Sequence, residues 1–111
     1  AAGSPVEIIL DLNGHTITGS STAEAALYQL NAANENVTLT LKDGKGGGKI
    51  NLSGLMRFAT LSGTAKNATL NMQSGTINAS SSFNINAACI KVYGAKATMN
   101  MSGGTINGGW K

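Results

Sequence analysis

Cysteine, aromatic residues and charge are all scarce in this chain, and each shortage closes off a class of protein. One cysteine, Cys89, stands among 111 residues, so no intramolecular disulfide can staple the fold. Beside Ile90 it reads as a small buried hydrophobe. The alternative, a reactive thiol, has only Lys91 and Lys96 nearby in sequence to activate it. Aromatic residues make up 5% and charged residues 12% of the chain, which leaves a thin core of small aliphatic side chains. No apolar stretch approaches the roughly 20 residues of a membrane-spanning helix, so membrane insertion is not expected. The net charge is +3, and its cations are dispersed. Only Lys42, Lys45 and Lys49 cluster, in a glycine-rich loop that reads as solvated, with polyanion contact as the alternative. No aromatic residues interleave with that cluster, so nucleic acid is not an expected partner.

Repetition is what the sequence has in abundance. Ala68-Thr69-Leu70-Asn71-Met72-Gln73-Ser74-Gly75-Thr76-Ile77-Asn78 returns as Ala97-Thr98-Met99-Asn100-Met101-Ser102-Gly103-Gly104-Thr105-Ile106-Asn107, an offset of 29 residues. Val37–Leu41 matches Ala68–Met72 at an offset of 31, and Ile8–Leu12 matches Val37–Leu41 at 29. Four copies therefore begin near residues 8, 37, 68 and 97, and a fixed period of this size marks stacked structural units. Each copy opens with strict alternation of apolar and polar residues, the pattern of a half-buried strand. Turns follow at Asn13-Gly14, Ser74-Gly75 and Gly103-Gly104, and a second short strand then points Ile17, Ile50, Ile77 or Ile106 inward. The second copy carries four extra residues before its isoleucine, placed in the loop Asp43-Gly44-Lys45-Gly46-Gly47-Gly48. A third strand is expected at Ala26–Leu30, Phe58–Leu61 and Cys89–Tyr93. The first of these also admits a helix, since Ser21 and Glu24 have capping-box spacing; the strand is preferred for residues 22–33 because it keeps the three-strand period.

Three short strands per turn of 29–31 residues, joined by Gly, Asn and Ser corners, predict one all-β domain over residues 1–111. The expected architecture is a right-handed parallel β-helix, or β-solenoid, of about four coils. Equivalent strands lie a whole repeat apart and pair in parallel, about 4.8 Å per coil, so four coils stand roughly 19 Å tall. LDLNGHTIT, ATLNMQSGTIN and ATMNMSGGTIN resemble the right-handed parallel β-helix repeats of bacterial cell-surface and secreted proteins, within the pectate-lyase-like superfold. The resemblance runs from about Val6 to Gly109. It implies an extracellular or cell-surface location. It does not imply an activity, because the superfold hosts enzymes, adhesins, tailspikes and passive spacers.

The enzymes of that superfold need clustered carboxylates. This chain has five acids, Glu7, Asp11, Glu24, Glu35 and Asp43. On the repeat alignment Asp11 shares a column with Thr40, Asn71 and Asn100, so neighbouring coils are expected to offer it no carboxylate. Glycoside hydrolysis needs two carboxyl groups flanking one bond, and a hard-cation site needs several oxygen ligands. The family's catalytic residues carry over to no position here. His15 is the lone histidine and reads as a turn residue, without companions for a metal. Gly44-Lys45-Gly46-Gly47-Gly48-Lys49 lacks the Ser or Thr and the helix that a phosphate-binding loop requires. No catalysis, metal or cofactor is expected.

Two surfaces remain. Thr38, Thr69 and Thr98 stack in one outward column beside Thr40, Asn71 and Asn100. On the next strand Thr76 and Thr105 stack beside Asn78 and Asn107. Such a wall can bind glycan or ice, or it can simply hydrogen-bond from coil to coil. The second surface is the coil ends. No capping helix is visible before Val6, the first residues Ala1-Ala2-Gly3-Ser4-Pro5 lack an initiator Met, and the fourth coil stops after its second strand. The expectation is a processed or excised chain with open strand edges, which template the addition of another chain. Either adjacent coils of a longer surface protein cover them, or the chain stacks head to tail on copies of itself into a filament. The end-to-end interface would comprise Ile8, Leu10, Leu12, Ile17, Met99, Met101, Ile106 and Trp110. The expected role is therefore structural or adhesive.

Overall fold

Among the described residues, alternating side chains build nine strands, and every pairing between them is parallel. The computed structural model describes residues 5–79 and 89–107. In chain order the strands are β1 (Val6–Asp11), β2 (Thr16–Ala32), β3 (Val37–Lys42), β4 (Lys49–Gly63), β5 (Ala68–Met72), β6 (Thr76–Asn78), β7 (Ile90–Tyr93), β8 (Ala97–Met101) and β9 (Thr105–Asn107). One sheet runs β1-β3-β5-β8, and a second runs β2-β4-β6-β9 with β7 also on β4. The molecule is thus an all-β solenoid of about four coils. Its shortest dimension, 21 Å, matches the height of four rungs at about 4.8 Å each.

The strands form three walls although only two sheets are continuous. β2 and β4 each serve two walls: β4 pairs with β6 through Lys49–Asn51 and with β7 through Ala59–Ser62. The corner between those walls falls at a register irregularity between Ser21 and Ala25. Gly54 occupies it at φ +68° with the Ser21 carbonyl lying where a Cβ would stand, so any other residue there would be both strained and crowded. The Ser21 hydroxyl donates to the Ala23 carbonyl and accepts from the Ala23 N–H, at 2.6 and 3.2 Å. That small local turn takes the place of a helix cap, and Ala26–Leu30 is strand.

The inward residues stack in columns along the axis. Leu39, Leu41, Ile50, Leu61, Leu70 and Ile77 are fully buried. Phe58 is buried as well, and its ring meets Tyr28 edge-on at 5.7 Å. Each inward side chain packs on its register partner above and below, so a middle coil has a complete core while an end coil has half of one.

The first coil departs from the repeat alignment. Val6 faces Val37, Ile8 faces Leu39 and Leu10 faces Leu41, an offset of 31 rather than 29, so the coil opens near Val6 and not Ile8. Asp11 lies opposite Lys42, and Ile9 stands under Thr40. A shift of two residues leaves every inward side chain inward, so the alternation cannot detect it. The corner chemistry decides instead: the Leu12 N–H donates to the Lys42 carbonyl, and the Asn13-Gly14 turn docks under the second-coil loop through Gly14 N–H to Asp43 Oδ1 at 2.8 Å. Leu12 is left over from the strand register and fills the space beneath that loop. It is 3% exposed, and its Cβ sits 2.6 Å from the position a Cβ on Gly48 would take.

Candidate functional site

The end edges follow from the hydrogen-bond parity of a parallel strand, in which alternate residues bond to opposite neighbours. Val6 and Leu12 donate their N–H groups to Asn36 and Lys42 of the second coil, at 2.8 and 2.9 Å. Ile8 and Leu10 share their parity. The N–H groups of Glu7, Ile9 and Asp11 therefore point the other way, toward the open side of β1. At the opposite end Ser102 donates down to Met72 at 2.9 Å, so Ala97, Met99 and Met101 present their N–H groups upward. Among the described residues β1 pairs only with β3, and β8 only with β5.

Side chains at these edges are correspondingly bare. In the column Ile8–Leu39–Leu70–Met99, Ile8 is 39% exposed whereas Leu39 and Leu70 are at 0%. In the column Leu10–Leu41–Met72–Met101, Met101 is 48% exposed against 1% for Met72. Leu10, Ile17, Met99 and Ile106 are half-buried against the core. Leu12 does not reach the end surface, for the reason given above. Trp110 lies outside the described residues. Sequence reading did not single out Val6 and Val92, which are 38% and 44% exposed at the two ends. Val92 tops the column Leu30–Leu61–Val92, and the alternation of Ile90-Lys91-Val92-Tyr93 was the available signal for it.

The wall columns stand in the expected order, with Thr38, Thr69 and Thr98 in register beside Thr40, Asn71 and Asn100. Glu7 and Ile9, not Asp11, occupy the first rung of that wall. On the second wall Thr16, Lys49, Thr76 and Thr105 stack beside Thr18, Asn51, Asn78 and Asn107. The asparagines bond to each other: Asn78 Nδ2 donates to Asn51 Oδ1 at 2.9 Å, Asn107 to Asn78 at 2.9 Å and Asn100 to Asn71 at 3.0 Å. Much of the wall's amide capacity is thus spent between coils.

The register shift also corrects the reading of Asp11 as lacking a carboxylate on a neighbouring coil: Gly44, next to Asp43, donates its N–H to Asp11, and Gly14 of the Asp11 turn donates to Asp43. The pair is tied up in backbone. Asp11 Oδ1 accepts from Gly44 and Asn13, at 2.9 and 3.0 Å. Asp43 accepts from Gly14, Gly46 and Gly48, at 2.8, 3.2 and 2.6 Å. The N–H of Gly44, followed by that of Asn13, holds the Asp11 carboxyl below the ordinary carboxylate range, and those of Gly14 and Gly48 do the same for Asp43. The two carboxylates pin the loop over the first turn. No group of three or more His, Cys, Asp or Glu side chains converges among the described residues. Cys89 is buried, and desolvation raises its thiol above the ordinary range. His15 Nδ1 lies 2.9 Å from the Asn13 carbonyl, inside its own turn. Comparison with known proteins adds no relative: no family model, no curated protein and no solved structure matches the chain.

Proposed function

We propose that this chain is a non-catalytic, extracellular structural or adhesive solenoid that associates through its coil ends, by continuing the parallel ladder into another coil. The favoured partner is a second copy, stacked head to tail. Further coils of a longer surface protein, of the bacterial β-helix kind that the repeats resemble, would use the same edges. The observation that carries this reading is the pairing of bare inward side chains with outward-directed backbone N–H groups at both ends. Ile8 and Met101 are exposed while Leu39, Leu70, Leu41 and Met72, on the inner rungs of their columns, are buried, and the next rung of a ladder would cover the apolar and the polar groups together. A contact between unlike ends does not close on itself, so it propagates as a filament. The lowered carboxyls of Asp11 and Asp43, each held by peptide N–H groups, support a role in holding a loop rather than in catalysis. The alternative, glycan or ice binding on the Thr/Asn wall, draws on the Thr38–Thr69–Thr98 and Thr76–Thr105 columns; the asparagine ladders beside them favour a structural wall.

Negative-stain electron microscopy of the purified chain over a range of concentrations tests the proposal. Thin fibres one solenoid wide are expected, lost in Met101→Lys and Leu10→Lys and kept in Thr69→Lys. Compact monomers at every concentration would sink self-stacking, and binding to glycan or ice lost in Thr69→Lys and Thr98→Lys would turn attention to the wall.

A further inference from the structure

Charge is sorted along the solenoid axis. Residues 1–36, up to the opening of the second coil, hold Glu7, Asp11, Glu24 and Glu35 and no lysine or arginine. Residues 37–67, the second coil, hold Lys42, Lys45, Lys49, Arg57 and Lys66 against Asp43 alone. Residues 68–111 hold Lys91, Lys96 and Lys111 and no acid. The β1 end is therefore acidic and the β8 end basic. Glu7 and Asp11 are exposed at the first, Lys91 and Lys96 at the second. Within the chain the acidic coil already rests on the basic second coil, with Asp11 opposite Lys42; its other side is the open edge of β1. The second wall gives the axis a direction as well. Asn107 donates to Asn78, and Asn78 to Asn51, each toward the coil nearer β1. Thr18 heads the same column at the β1 end.

Given the end-to-end association argued above, on which this rests, we propose that charge selects the stack: the acidic first coil of one copy docks on the basic end of the next, in one register. Carrying the ladders on by one rung sets Ala97–Met101 against residues 6–10 of the incoming copy, and Thr105–Asn107 against residues 16–18. Glu7 then lies opposite Thr98. Its Cα is about 8 Å from that of Lys96, at about 4.8 Å per rung and about 3.3 Å per residue, so carboxylate and ammonium can meet across the junction. Lys96 Nζ rests 3.3 Å from the Ala65 carbonyl, an exposed contact that gives way to a stronger charge-assisted bond. The Thr18 hydroxyl of the incoming copy arrives over Asn107 and can donate to its amide oxygen, so the ladder keeps its direction. Two β1 ends together would set acid on acid, and two β8 ends lysine on lysine. Such like-charge contacts suppress the wrong pairing, while the opposite charges of unlike ends steer the right one.

Sedimentation velocity of the full chain, read as the critical concentration for assembly, tests this, together with disulfide capture in a Cys89→Ala background. Raising salt from about 0.05 M to about 0.5 M shortens the screening length to about 4 Å and is expected to raise that concentration at least about fivefold. Glu7 and Lys96 are exposed, so reversing either leaves the core intact. Glu7→Lys and Lys96→Glu are each expected to raise the critical concentration about fivefold, the scale of one exposed pair turned to repulsion, and the chain carrying both to restore it. Ile9 and Asn100 would stand on adjacent rungs about 4.8 Å apart, within disulfide reach. An oxidised mixture of Ile9→Cys and Asn100→Cys chains should therefore give the mixed dimer, and Ile9→Cys alone should give none. Assembly indifferent to salt and to both reversals would overturn charge selection while leaving stacking itself standing. Cross-linked dimers of Ile9→Cys alone would overturn the head-to-tail register. Absence of assembly at every salt concentration would remove stacking and charge selection together.

Discussion

Asn78 donates its amide N–H to Asn51 on the coil below and accepts one from Asn107 on the coil above, both at 2.9 Å. A side chain bonded to its own equivalents on both neighbours is a product of translation along the solenoid axis: the same residue, in the same rotamer, recurs about 4.8 Å away. Asn suits this position because its amide carries donor and acceptor at once, so a column can chain without limit. The preference for Asn over Thr at Asn71 and Asn100, where a 3.0 Å bond joins the two, has the same origin.

Asn78→Ala removes both ladder bonds at a half-buried position. Each intramolecular hydrogen bond contributes about 1 kcal/mol net, so the expected loss is about 1–2 kcal/mol, with Asn51 and Asn107 left to water. Asn100→Ala breaks one bond at an exposed position and should cost less. Urea denaturation of both variants checks the order. Equal stability of Asn78→Ala and the parent chain would mean that the ladder is ornamental.

Acid should loosen the first corner before it unfolds the core. The Asp11 and Asp43 carboxyls are held below their ordinary range by backbone N–H groups, first Gly44 and Asn13 for one, Gly14 and Gly48 for the other. A depressed carboxyl stabilises the fold above its unfolded pKa of about 3.9, and that contribution is lost as pH falls through the lower folded value. Hydrogen exchange should therefore show Gly14, Gly44 and Gly48 losing protection as pH drops below about 4, while Leu39 and Leu70 stay protected. Asp43→Asn, which retains shape but weakens three charge-assisted bonds, should lower the melting temperature at pH 7 and flatten its acid dependence.

Core truncations should grade with the position of the coil. Leu39 and Leu70 are completely buried between rungs, so Leu39→Ala is expected to cost about 2–5 kcal/mol. Ile8 occupies the same column at the open edge and is 39% exposed, so Ile8→Ala should cost distinctly less. Denaturant midpoints for the two variants decide the matter, and a stack that buries Ile8 between copies would narrow the gap as protein concentration rises.

The solenoid was legible because its signal is periodic. Alternation in Val37–Leu41 and Ala68–Met72 and the returning Thr-Ile-Asn triplets set the strands, the walls and most columns, and Ala26–Leu30 joined the third wall as the three-strand period requires. What stayed hidden is what a two-residue slip conceals. Ile8 and Leu10 remain inward whether they pair with Val37 and Leu39 or with Leu39 and Leu41, and only the docking of Asn13-Gly14 beneath Asp43 selects the latter. That slip took Leu12 off the end face and brought Asp11 beside Asp43. The wall corner was hidden for another reason: the register breaks between Ser21 and Ala25, and periodic patterns are silent at their own irregularities.

Proline substitution separates the fold from its association. Ile9 directs its N–H away from the second coil, as the donation of Val6 and Leu12 to that coil requires, and its side chain is 66% exposed. Proline lacks the N–H and is tolerated on the free side of an edge strand, so Ile9→Pro should keep the monomer's stability close to that of the parent. Any coil docking beneath β1 loses a ladder bond and meets the ring, so fibres should vanish or their critical concentration should rise by tenfold or more, equivalent to about 1.4 kcal/mol per junction. Leu10 is the internal control. Its N–H shares the parity that bonds β1 to β3, so Leu10→Pro breaks a bond within the chain and orphans a second-coil carbonyl, a loss of about 1–3 kcal/mol. Sedimentation velocity and urea denaturation of the two variants read association and folding separately. If Ile9→Pro assembles as the parent does, the β1 edge takes no part in stacking, and the ladder-continuation mechanism fails.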